Sequence, residues 1–250
     1  MNTSWKKGGV VLYLGDCLEV MKRFKDKSFD MILCDLPYGT TKCKWDTIIP
    51  FGQLWKHYKR IIKDNGAIVL NSTQPFTSSL IMSNTKMFKY CWTWDKVTAK
   101  GHLVAKLRPM QQTEDICVFG YGKINYYPQM VDRPKNKIQF TKEAKRTEIM
   151  GGRNNMPDKK VYDTYYPKTI ITFKTERGLH PTQKPVALFE YLIKTYTNER
   201  DIVLDNCIGS GTTAIACINT GRRCVGIEKD ENYFKIAIQR ISDHLATQEA

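Results

Sequence analysis

The sequence predicts an α/β fold whose mostly parallel sheet is assembled in circularly permuted order. Three observations carry this expectation. Short apolar runs alternate with stretches of helical periodicity at both ends of the 250-residue chain, the pattern of βα units. Ile202-Val203-Leu204-Asp205 leads through Asn206-Cys207-Ile208 into Gly209-Ser210-Gly211-Thr212-Thr213, a strand-end glycine turn of the kind that receives a nucleotide. The chain that follows this turn suffices for one more βα unit, so the remaining strands are expected from the N-terminal half.

Taken in order, residues 10–14 are a β-branched run ending at Gly15-Asp16, and a helix is expected from Leu18 to Phe24. Met31-Ile32-Leu33-Cys34 is continuously apolar, as a central strand buried on both faces is, and it delivers Asp35 at its C-terminal end. Apolar residues recur at helical spacing over 51–62, Asp64-Asn65-Gly66 reads as a stop, and 67–70 as the next strand. Pro75 opens a short helix, and 90–94 and 116–119 read as strands. Beyond Pro185 come an amphipathic helix over 186–196, strands at 202–204 and 224–227, and helices over 212–220 and 233–245.

Between Tyr121 and Gly178 the periodicity dissolves. Basic residues, among them Lys135, Lys137, Lys142 and Arg146, are interleaved with tyrosines and Phe140. A solvated basic linker is the bland reading. The aromatic residues favour a small lobe that tracks a nucleic-acid backbone, with those four cations as candidate phosphate contacts. The expected division is therefore 1–120, 121–178 and 179–250.

Composition bounds the partners. With 39 Lys and Arg against 25 Asp and Glu, the formal charge of +14 favours a polyanion, because clustered cations on phosphates release counterions. The eight cysteines show no CxxC spacing, which points to reduced, buried thiols in a cytoplasmic protein and to no metal site. No stretch is apolar enough to span a bilayer, so a membrane partner is not expected.

Two constellations carry chemistry. In Asp35-Leu36-Pro37-Tyr38, a carboxylate and the Leu36 carbonyl can hold the two hydrogens of an exocyclic amine. That turns the nitrogen lone pair, otherwise delocalised into the ring, toward an electrophile. Pro37 restrains residue 36 to extended geometry, and Tyr38 offers a ring face for an unstacked base. Alone, the tetrad reads better as a strand-end turn, where Asp and Pro are common. Ligands of open α/β sheets bind outside the strand C-termini, where Asp16, Asp35, Asp205 and Glu228 are all expected. Glu228 suits a ribose diol, whereas Asp16 is as well placed to cap the following helix. A dinucleotide fingerprint, Gly209-x-Gly211-x-x-Ala214, is disfavoured by the long gap after Asp205.

Taken together, these motifs resemble those of the β-group amino-methyltransferases of DNA, in which the catalytic tetrad comes first and the cofactor glycine loop last. His180-Pro181-Thr182-Gln183-Lys184-Pro185 resembles that family's segment beside the methionine end of S-adenosylmethionine. The resemblance implies a circularly permuted, Rossmann-like methyltransferase fold with a small inserted target-recognition lobe. It implies double-stranded DNA as substrate, adenine N6 as acceptor (Asp rather than Ser opening the tetrad), and a homodimer as the candidate assembly. By resemblance, Asp35, Leu36, Pro37 and Tyr38 are catalytic. Asp16, Cys17, Asp35, His180, Thr182, Lys184, Asp205, Cys207, Gly209, Ser210, Gly211, Thr212, Thr213 and Glu228 bind the cofactor. The sequence departs from the family pattern at Leu36, where Pro is usual, and at Asn206-Cys207, where Pro-Phe is usual, which is expected to loosen packing over the cofactor. N4-cytosine methylation is the alternative chemistry, and a catalytically silent DNA-binding protein of the same fold is the alternative class.

Overall fold

The computed structural model describes residues 3–39, 46–140, 161–176 and 183–249. In chain order the elements are β1 (Ser4–Lys7), β2 (Val10–Leu14), α1 (Cys17–Met21), β3 (Phe29–Asp35), α2 (Phe51–Ile61), β4 (Ile62–Ser72), α3 (Phe76–Ser83), β5 (Phe88–Lys100) and β6 (Gln111–Phe119). Short strands β7 (Val131–Asp132), β8 (Gln139–Phe140), β9 (Val161–Tyr162), β10 (Thr164–Tyr165) and β11 (Ile170–Thr172) follow. Then come α4 (Val186–Tyr196), β12 (Ile202–Asp205), α5 (Thr212–Asn219), β13 (Arg223–Glu228) and α6 (Glu231–Glu249).

The main sheet runs β1-β2-β13-β12-β3-β4-β6-β5-β11. The strands from β2 through β4 in that order are mutually parallel, and β6 joins β4 and β5 antiparallel. The two late strands β12 and β13 thus sit between the early strands β2 and β3, which is the permuted arrangement the motif order implied. Leu204 pairs with Ile32, and Glu228 with Leu14. Sheet neighbours therefore bring the C-terminal ends of β2, β13, β12 and β3 to one edge although they are far apart in sequence.

Burial explains the apolar runs. Met31 and Leu33 of β3 enter the core on one face of the sheet with Leu188, Leu192 and Ala214. Ile32 and Cys34 enter the core on the other face with Leu54, Tyr58 and Ile61 of α2. A strand covered on both sides has no place for polar alternation.

Several boundaries differ from the sequence reading. β1 pairs antiparallel with β2 at the sheet edge, where its lysines reach solvent. α1 begins one residue earlier and ends three residues sooner than expected. Asp64-Asn65-Gly66 lies inside β4 rather than before it, in a register jump from Phe29↔Ile62 to Met31↔Ala67. Gly66 is required there, because a Cβ would stand 2.8 Å from the Asp30 carbonyl. Residues 170–172 add β11 to the main sheet beside β5.

The chain divides into two units, Met1–Tyr127 with Thr169–Ala250, and Pro128–Lys168. The second is narrower at both ends than the 121–178 expected. Within it β7 pairs with β10 and β8 with β9, and the Arg133 guanidinium lies 4.3 Å from the Tyr165 ring centroid. Lys135 and Lys137 lie on an exposed 3-10 turn of this unit. Lys142 and Arg146 fall outside the described residues. Among the described residues no helix is long and apolar enough to cross a membrane.

Candidate active site

A cavity of about 850 Å³ opens at the strand ends of the main unit. Its walls include Asp16, Cys17, Asp35, Leu36, Pro37, Tyr38, Lys184, Asp205, Cys207, Gly209, Ser210, Thr212, Thr213 and Glu228. Most of the residues singled out from sequence therefore share one cleft. His180 and Thr182 lie outside the described residues.

Asp35 ends β3 with both carboxylate oxygens engaged. Tyr38 Oη donates to Oδ1 at 2.6 Å, and Lys184 Nζ donates to Oδ2 at 2.8 Å. Each oxygen keeps a second lone pair for a further donor. Lys184 is almost fully buried and also stands 3.4 Å from Glu114 Oε2, while Lys96, buried as well, donates to Glu114 Oε1 at 3.1 Å. Two cations and two carboxylates thus form one buried chain, Asp35–Lys184–Glu114–Lys96. Burial alone pushes the Lys184 ammonium down, but the carboxylates of Asp35 and Glu114 prevail and raise its pKa above the ordinary lysine value. Burial pushes Glu114 up, and Lys184 and Lys96 overcome it, leaving its pKa lowered. Burial, reinforced by Asp35 and Glu114, raises the Tyr38 phenol well above its ordinary value, so it remains a donor to Asp35.

The glycine loop is held from beneath by the acidic strand ends. Asp205, buried, accepts from Cys207 N at 3.0 Å and from Thr213 Oγ1. Burial, partly offset by those bonds, pushes its pKa up to about 6. Glu228 Oε2 accepts from Gly209 N at 2.8 Å, and Oε1 from the amides of Lys229 and Asp230 at 2.9 Å. Burial raises its pKa despite those amides. Asp16 caps α1 through Leu18 N at 2.9 Å, so the capping reading of this residue holds whatever else it contacts.

Two sequence expectations need correction in detail. Gly211 does not line the cavity; at φ +88 it starts α5, and a Cβ there would meet Ala237 and Ile241 of α6 at 3.4 Å. Gly209, at φ +52, has nothing within 4 Å of an added Cβ and forms bare cavity wall. Nor does Asn206 loosen the loop: it is 2% exposed and accepts from Tyr58 Oη at 2.5 Å, tying the loop to α2. The Leu36 side chain is likewise buried.

Sequence reading missed Glu114, Lys96 and Arg240. Arg240 of α6 donates to the Ser210 carbonyl at 3.1 Å, Ser210 Oγ at 3.2 Å and Thr212 Oγ1 at 3.1 Å, and it clamps the loop from outside. A signal did exist for the first two. Lys96 follows Trp92 and Trp94, and Glu114 precedes Ile116 and Val118, at the period-two spacing of a core-facing side.

The donor set fits an adenosine-bearing cofactor. Gly209 leaves backbone exposed to a ligand, and Asp16 and Glu228 offer acceptors beside it. A permuted sheet with such a glycine loop, and with Asp35–Tyr38 in the same cleft, has the architecture of a Rossmann-like methyltransferase. The DNA methylase family model (N6_N4_Mtase) matches residues 29–239, and the chain belongs to that family.

It is 26% identical over 255 residues to Type II methyltransferase M2.MboI of Moraxella bovis, covering 92% of this chain and 86% of that one. It is 28% identical over 268 residues to DNA adenine methyltransferase YhdJ of Escherichia coli (strain K12), covering 94% and 84%. The solved structure of the M1.HpyAVI–SAM complex superposes with a TM-score of 0.62 at 26% identity, over 92% of this chain and 99% of that one. PvuII DNA methyltransferase (cytosine-N4-specific) shares the fold, with a TM-score of 0.66 at 14% identity, over 97% and 95%. The protein is a DNA methyltransferase of the N6/N4 class, and its cofactor is S-adenosylmethionine.

Proposed function

We propose that the protein methylates adenine N6 in double-stranded DNA at a specific site. The reading rests on Asp35, a carboxylate at the end of a central strand, oriented by Tyr38 and Lys184 and followed by the Leu36 carbonyl. It is supported by the Asp-opened tetrad and by similarity to an adenine methyltransferase. S-adenosylmethionine supplies an electrophilic methyl group when bound.

The chain's own residues supply position. A spare lone pair of Asp35 and the Leu36 carbonyl take the two amine hydrogens, and Tyr38 and Pro37 bound the base beside them. The carboxylate then faces the positive charge that develops on the nitrogen, the point at which a preorganised charge is most effective. Asp16, Cys17, Gly209, Ser210 and Glu228 would hold the cofactor; Asp205, Thr213 and Arg240 would shape the loop that does so. The region around Pro128–Lys168, with Lys135 and Lys137 exposed, would read the target sequence.

Incubation with methyl-labelled S-adenosylmethionine and mixed-sequence duplex, followed by nucleoside mass spectrometry, tests the assignment. N6-methyldeoxyadenosine is expected. N4-methyldeoxycytidine would overturn the choice of base, and unlabelled DNA would return the protein to the silent DNA-binding class.

A further inference from the structure

The ten residues joining β5 to β6, 101–110, form a closed hairpin loop, because Lys100 still pairs with Gln111 at its neck. It is internally ordered: Val104 N bonds to the Gly101 carbonyl at 3.1 Å, and Leu107 N to the Val104 carbonyl at 2.9 Å. On these turns Leu103 is 88% exposed and Leu107 is 87% exposed. Single exposed leucines are ordinary. Two such residues four apart on consecutive ordered turns, at the rim of a reaction cavity, are not. Both neck residues, Lys100 and Gln111, line that cavity.

Charge identifies the partner. Residues 96–113 contain Lys96, Lys100, Lys106 and Arg108 and no acidic residue, and the last three are exposed. The strand leading into the loop is re-aimed by a bulge between Asp95 and Lys100. There Val97, a β-branched residue, holds φ +66 while its amide donates to Asp95 Oδ1 at 2.8 Å. Such backbone is uncommon for a β-branched residue and persists only where its surroundings enforce it.

Resting on the DNA-adenine reading above, we propose that this loop is a DNA wedge. Lys106 and Arg108 grip phosphates, while Leu103 and Leu107 enter the stack vacated by the target base. A base in a duplex cannot reach the cleft without leaving its neighbours, and apolar side chains inserted at a step compensate lost stacking. The loop is built for that role, with apolar tips, cationic flanks, and a neck fastened to the cavity that receives the base.

The test uses Leu103→Ala with Leu107→Ala in the full chain, at the site mapped by sequencing methylated DNA. Transfer is measured on the paired duplex and on one with an abasic position opposite the target, where the base is already unpaired. The expected loss in kcat/KM is about tenfold or more on the paired duplex, with recovery on the abasic-opposed one to within about twofold of the unsubstituted chain. S-adenosylmethionine affinity should be unchanged. Equal loss on both duplexes, or none on either, would overturn the wedge; so would normal transfer with altered self-association, which would mark a protein-contact surface. The adenine reading fails separately, if the unsubstituted chain methylates neither duplex at adenine. In that event 2-aminopurine fluorescence at the target still reads the loop. The proposal expects a rise on binding that the double variant loses, and an undiminished rise would overturn it.

Discussion

Lys184 Nζ lies 2.8 Å from Asp35 Oδ2, joining residues 149 positions apart in a partly buried ion pair in the cleft. The pair links the segment before α4 to the end of β3, and Glu114 and Lys96 extend it without net charge. Removing Lys184 would leave Asp35 with Tyr38 as its donor and Glu114 with Lys96 alone, a loss of about 1–3 kcal/mol for a partly compensated charge. Lys184→Met should therefore lower thermal stability and slow methyl transfer. In a double-mutant cycle with Asp35→Asn, the coupling should exceed about 1 kcal/mol in both stability and rate. Additive effects would show that the two act independently.

The two loop glycines should separate by phenotype. Gly211→Ala places a Cβ against α6 at a positive φ, so its main effect should be a stability loss of about 1–2 kcal/mol, read by urea unfolding. Gly209→Ala carries similar backbone strain but adds its methyl to open cavity wall. It should weaken S-adenosylmethionine binding, read by calorimetry, well beyond the affinity change in Gly211→Ala. Equal affinities would remove Gly209 from the cofactor wall.

Asp205 gives a pH signature. Its pKa rises from 3.8 to about 6 on folding because it is buried. Across that window the folded chain binds more protons than the unfolded chain, so this group makes stability fall as pH rises, by about 2–3 kcal/mol in total. Stability curves from urea unfolding at pH 4 to 7 should differ in slope between the unsubstituted chain and Asp205→Asn, the variant lacking this downward component. Parallel curves would mean that Asp205 is ionised at no added cost.

Lys135→Ala with Lys137→Ala tests the smaller unit. If both contact phosphate, the slope of log affinity against log salt should shrink by about 0.9 per contact, with S-adenosylmethionine affinity unaffected. An unchanged slope would place phosphate recognition elsewhere on the protein.

The sequence made the sheet and most of the cleft legible, because both rest on local patterns. Met31-Ile32-Leu33-Cys34 reads as a central strand buried on both faces, and Asp35 and Asp205 stood at strand ends with the turns that follow them. What escaped was non-local or weakly patterned. Ser4–Lys7 carries two lysines that suit a sheet edge and hid its extended form. Ile170–Thr172 became a strand only by pairing with β5. Lys184, expected beside the cofactor, proved to be bonded to Asp35, and Arg240 reached the glycine loop across 28 to 30 positions. Glu228 and Asp205 were expected to face ligand; their carboxylates chiefly hold the loop's own amides and the Thr213 hydroxyl. Contacts of that kind depend on how elements pack, which no single segment encodes.

In the proposed function, Asp35 orients the amine that accepts the methyl group. Single-turnover transfer by Asp35→Asn, with cofactor and mapped duplex both saturating, tests it most directly. That variant keeps an oxygen for Lys184 or Tyr38 but loses the charge that the developing cation requires. We predict a rate loss of about a hundredfold or more, with the fold retained by circular dichroism. A near-normal single-turnover rate would contradict the account.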